Sequence, residues 1–76
     1  TRIQYSIPLE SSVTLKIYNI KGELVKELVD EHKDKGTYEV AWDGRDRNGN
    51  IVVSGVYFYQ FISGDRKVIK RMILLN

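Results

Sequence analysis

Apolar and polar residues alternate one for one along most of this 76-residue chain, in short runs separated by turn-forming residues. A period of two puts successive side chains on opposite faces of an extended strand, whereas a helix needs apolar positions three and four apart. Ile3, Tyr5 and Ile7 alternate with Arg2, Gln4 and Ser6 until Pro8, which cannot donate to a ladder, ends the run. Glu10-Ser11-Ser12 reads as a turn, after which Val13, Leu15 and Ile17 alternate with Thr14, Lys16 and Tyr18 up to a tight turn at Lys21-Gly22. Leu24 and Leu28 have helical spacing, but the few residues between flanking turns are too short for a stable helix, so a bent or bulged strand is predicted over 24–29.

Residues 30–36 read as a charged, exposed loop, and Tyr38, Val40 and Trp42 as the apolar face of the next strand. The stretch 43–50 is turn chemistry throughout, and Ile51-Val52-Val53 is expected to form a short strand before Ser54-Gly55. The run 56–62 (V-Y-F-Y-Q-F-I) is apolar on both faces, so periodicity leaves its orientation open. If Val56, Phe58 and Ile62 point inward, Tyr57, Tyr59 and Phe61 form an outward aromatic row suited to a sugar or a protein partner. Ser63-Gly64-Asp65-Arg66 reads as a hairpin turn. The last strand places Val68, Met72 and Leu74 on one face with Lys70, and Ile69, Ile73 and Leu75 on the other with Lys67 and Arg71. Six to seven short antiparallel strands with regular turn signals describe a small all-β sandwich, a single domain over 1–76.

Composition narrows the function. A domain of this size buries only about 60% of its unfolded surface, so an isolated copy is marginal and gains from packing against neighbours. There is no cysteine, hence no disulfide framework and no thiolate metal site. The lone His32 lies among charged residues, where neither a Ser–His constellation nor a closed zinc shell is available, so no catalytic residue is assigned. No apolar run approaches the roughly 18 residues of a bilayer-spanning helix, so membrane insertion is not expected. After Asp65 come four cations (Arg66, Lys67, Lys70 and Arg71) and no acid. Without interleaved aromatics on a basic face this is better explained as edge-strand protection than as nucleic-acid binding.

The oxygen-rich run D-G-R-D-R-N-G-N (43–50) is the one candidate metal site, with Asp43, Asp46 and Asn48 as possible calcium ligands. Against it, Ile51 stands where a calcium loop needs glycine, Arg45 and Arg47 intrude, and no bidentate glutamate follows; Asx turns account for the same residues without a cofactor.

The succession I-Q-Y-S-I-P, V-T-L-K-I-Y-N-I-K-G, L-V-K-E-L-V-D, G-T-Y-E-V-A-W-D-G-R-D-R-N-G, S-G-V-Y-F-Y-Q-F and K-R-M-I-L-L resembles one group over essentially the whole chain. That group is the immunoglobulin-like domain of bacterial flagellar hook-capping proteins, with the similar C-terminal, type IX secretion sorting-like domains of secreted bacterial proteins. The pairing of W-D-G-R-D with S-G-V-Y-F-Y is its most specific part. The resemblance implies an immunoglobulin- or fibronectin type III-like sandwich, an extracellular or cell-surface setting in a bacterium, and no catalysis; no cofactor is expected beyond the calcium weighed above. Two functions are then expected. The first is a structural module that assembles through protein contacts with copies of itself or a larger host, a filament or tube being one outcome. The alternative is a sorting, anchoring or carbohydrate-binding accessory domain of a secreted enzyme or adhesin. The interface candidates are Tyr57, Tyr59, Phe61, Ile69, Ile73 and Leu75.

Overall fold

The structure, a computed structural model, describes residues 1–75. These form six strands, β1 (Arg2–Ile7), β2 (Ser11–Asn19), β3 (Leu24–Lys33), β4 (Gly36–Ala41), β5 (Gly55–Ser63) and β6 (Arg66–Leu74). Antiparallel β1 and β4 make a small sheet that lies on a four-stranded antiparallel sheet of order β3-β2-β5-β6. The all-β sandwich read from the alternation is the observed fold.

Burial follows the predicted faces in β1, β2 and β6. Ile3, Tyr5 and Ile7 are buried, Val13, Leu15 and Ile17 are wholly inaccessible, and Leu74 closes the core, with Val68 and Met72 partly buried against it. Tyr5 stacks on Tyr38 (5.5 Å between ring centroids) and meets Phe61 of the facing sheet at 5.1 Å. The Lys33 ammonium sits 4.8 Å above the Tyr38 ring and pairs with Glu31 at 2.8 Å, which closes the gap between β3 and β4. The small sheet therefore sits with β4 towards β3 and β1 over β5 and β6.

Turns do what their residues allow. The Asn19 side chain accepts from the backbone N–H groups of Lys21 and Glu23 (3.0 Å each), and Gly22 supplies a φ of +83° between β2 and β3. Gly64, at φ +58°, holds the first position of the two-residue β5–β6 turn, where a side chain would be strained.

Three expectations are corrected. Ser11 and Ser12 are not a turn: they open β2, paired with Lys33 and His32, and the chain bends at Pro8 and Leu9 instead. Residues 30–33 are not a loop: β3 continues to Lys33 because Ser11, Ser12, Val13 and Thr14 of β2 offer partners to Lys33, His32, Glu31 and Asp30. As an edge strand, β3 keeps water on one side, so its charges are tolerated. The predicted bulge is present, since the register skips Leu28 between the Leu15–Val29 and Lys16–Glu27 pairs and skips Val25 between the Ile17–Lys26 and Tyr18–Leu24 pairs. Ile51-Val52-Val53 is not a strand either. It makes one isolated bridge, from Ile51 to Arg45, and Ile51 and Val53 are exposed.

Candidate docking surface

The outward face of the four-stranded sheet is set by register. Tyr18 of β2 lies beside Phe58 of β5, which lies beside Arg71 of β6. One step along, Lys16, Gln60 and Ile69 form the next row, and Val56 pairs with Ile73. Directly paired residues share a face, so Tyr18, Phe58, Ile69 and Ile73 are brought together on the side away from the core. Ile69 is 58% exposed, Ile73 63%, and Ile20 at the β2 end 73%. A shallow depression of about 350 Å³ runs between Tyr18, Ile20, Phe58, Gln60 and Ile69, with the Tyr18 hydroxyl donating to Gln60 Oε1 at 3.4 Å. Around it, Lys16 pairs with Glu27 at 3.8 Å, whereas Lys67 and Arg71 carry no ion pair among the described residues. The surface can bury apolar side chains under a largely cationic rim.

Of the six sequence-derived interface candidates, three are exposed on this side of the sheet and three are not. Ile69, Ile73 and Leu75 are exposed, Leu75 lying just beyond the end of β6. The outward aromatic row is overturned. Tyr57 and Phe61 are each 4% exposed, and Tyr59 is partly buried against the core. The cause is register with β2: Leu15 pairs with Phe61, Ile17 with Tyr59 and Asn19 with Tyr57, and the inward face of β2 carries its partners inward with it. A sugar platform built on Tyr57, Tyr59 and Phe61 loses its physical basis. Sequence reasoning missed Tyr18 and Phe58. The alternation of β2 marks Tyr18 as outward, but nothing local orients Phe58 in a run apolar on both parities, and only its register against Tyr18 does.

The 43–50 loop is held by its own backbone. Asp46 Oδ1 accepts from the N–H groups of Asn48 (2.9 Å) and Asn50 (3.0 Å), and Asp43 Oδ1 from that of Arg45 (3.0 Å). Arg45 donates to the Gly49 carbonyl at 2.9 Å, so a cation occupies the middle of the loop. The Asn48 contribution is its main-chain N–H, and no group of three or more His, Asp or Glu side chains converges among the described residues. Asx turns thus explain Asp43 and Asp46. His32 is exposed beside Glu10, 3.2 Å away.

The two sequence motifs meet in space. The Trp42 indole is buried, donates to the Arg45 carbonyl at 2.9 Å, and meets the Tyr57 ring edge to face, with 5.3 Å between centroids. Tyr57 in turn donates to the Val53 carbonyl at 2.7 Å, which ties the second motif's lead-in to the same cap. Both motifs are therefore structural, closing one end of the sandwich.

Comparison with known proteins places the chain. The family model of the FlgD Ig-like domain matches residues 2–62. FlgD from P. aeruginosa has a similar solved structure, with a TM-score of 0.73 and 25% identity over 96% of this chain and 59% of that one. PorZ, an essential bacterial surface component of the type IX secretion system of Porphyromonas gingivalis, is similar with a TM-score of 0.63 and 25% identity over 87% of this chain and 8% of that one. The chain thus spans about three-fifths of FlgD and less than a tenth of PorZ. No relative of curated function matches it.

Proposed function

The chain belongs to the FlgD Ig-like domain family, a bacterial protein-interaction fold, and from that premise we propose that it is a non-catalytic assembly module working outside the bacterial cytoplasm. One observation carries the proposal. The core packs between the two sheets, yet Tyr18, Phe58, Ile69 and Ile73 remain as an apolar stripe on the outer face of the larger sheet. An accessible apolar stripe within a polar surround is where a protein partner gains most from burial. The partner tested first is a second copy, since face-to-face sandwiches bury such stripes mutually and open, head-to-tail contacts extend into filaments or tubes.

Light scattering over a range of concentration tests this. The unaltered chain is expected to gain mass with concentration, and a variant with Ile69→Lys and Ile73→Lys to stay monomeric at unchanged stability. A monomer at all concentrations would move the proposal to a larger host protein. That second arrangement, a sorting or anchoring accessory domain, is supported by the domain forming only part of FlgD and PorZ.

A further inference from the structure

The smaller sheet leaves part of the larger one uncovered, and the uncovered part adjoins a free backbone edge. Thr1 and Trp42 exchange both main-chain bonds, the Trp42 N–H donating to the Thr1 carbonyl at 2.8 Å and the Thr1 ammonium to the Trp42 carbonyl at 3.2 Å. From that pair the antiparallel register alternates, so Ile3, Tyr5 and Ile7 are bonded to β4. The N–H and C=O groups of Arg2, Gln4 and Ser6 therefore point away from β4, along the free edge of β1. Beside this edge lies a depression of about 130 Å³ bounded by Gln4 and Ser6 of β1, Tyr59 of β5, and Arg66, Val68 and Lys70 of β6. Its floor is apolar, with Val68 and Tyr59 partly buried, and Met72 continues the same face of β6. Its rim is cationic: no acidic residue lines it, and neither Arg66 nor Lys70 makes an ion pair among the described residues.

We propose that the β1 edge and the uncovered inner face of β6 form an acceptor groove for one extended segment of a partner protein, adding a third strand to the small sheet. Main-chain bonds to Arg2, Gln4 and Ser6 supply affinity, inward apolar side chains cover Tyr59, Val68 and Met72, and acidic side chains meet Arg66 and Lys70 at the rim. The edge is six residues long, about 20 Å of strand. A second copy does not fit. Its β1, brought antiparallel to this one about a two-fold axis, would set its β6 beside this β6, each carrying Arg66, Lys67, Lys70 and Arg71. The occupant is therefore a lone strand of acidic, alternating composition, and its groove is separate from the outer face proposed above.

The test uses a short synthetic peptide alternating valine with glutamate, titrated into the ¹⁵N-labelled chain, beside a peptide with lysine in place of glutamate. Saturable binding of the acidic peptide is expected, with amide shifts at Arg2, Gln4, Ser6, Val68 and Met72, and no binding of the basic one. Gln4→Pro removes an outward N–H while keeping every β1–β4 bond, and is expected to weaken binding roughly tenfold. Lys70→Glu, which leaves the backbone untouched, is expected to reverse the preference between the two peptides. Absence of saturable binding, equal binding of both peptides, shifts confined to the outer face, or an unchanged preference in Lys70→Glu would each overturn the proposal.

Discussion

Replacing Phe61 by alanine tests which way β5 faces, on which the choice of surface depends. Phe61 is 4% exposed, paired with Leu15 and Val68 across the sheet and 5.1 Å from the Tyr5 ring of the other sheet. An aromatic side chain buries at least about 150 Å². At about 25 cal/mol/Å² its removal costs about 4 kcal/mol, within the 3–5 kcal/mol typical of Phe→Ala in a core. At roughly 0.05–0.15 kcal/mol per residue, a chain of this size has a total stability of about 4–11 kcal/mol, so the loss takes a third or more of it. Urea unfolding followed by the fluorescence of Trp42, which the substitution leaves in place, reads this directly. With an m-value near 1 kcal/mol/M, the midpoint is expected to fall by roughly 3–4 M, or the variant to be unfolded without denaturant. Phe58→Ala, on the opposite face, is the control and is expected to cost less than about 1.5 kcal/mol, since one side of its ring meets water. If Phe58→Ala proved as costly as Phe61→Ala, the assignment of inner and outer faces would be wrong.

Stability should fall at alkaline pH. Burial raises the Tyr5 phenol above its ordinary range, outweighing the opposing pull of nearby Lys33, and the hydrogen bond that the Lys33 ammonium donates to Glu31 raises Lys33. Each folded-state value lies above the unfolded one, so the contribution is complete below about pH 10 and is lost as pH climbs through the folded value. Tyr5→Phe, measured by thermal melts from neutral to alkaline pH, is expected to flatten that decline with little change at pH 7. An identical alkaline slope would exclude Tyr5 as its source. Asp46→Ala removes the acceptor of two backbone N–H groups and is expected to cost about 1–2 kcal/mol by urea titration, the freed donors being re-satisfied in part by water. Millimolar calcium is expected to leave the melting temperature of the unaltered chain where it is; a clear rise, abolished in Asp46→Ala, would make the 43–50 loop a cation site instead.

Strand identity was legible in the sequence because it depends on local alternation. The runs at 3–7 and 13–18 each carry their most apolar residues on one parity, and the structure buries the faces so marked. The turns at Lys21-Gly22 and Gly64-Asp65 were legible for a similar reason, since a positive φ is demanded where glycine stands. Three features could be decided only by tertiary pairing. The run 56–62 is apolar on both parities, so nothing local orients it; its register against β2 does, and that alone exchanged an expected aromatic platform for the stripe of Tyr18, Phe58, Ile69 and Ile73. Residues 30–33 carry the composition of a loop, and became strand because β2 extended far enough to pair with them. The groove beside β1 is written in no single segment, since it arises where a two-stranded sheet stops short of covering a four-stranded one. Periodicity reports which face of a strand is apolar; which strand lies beside it, and where coverage ends, is decided by how the sheets pack.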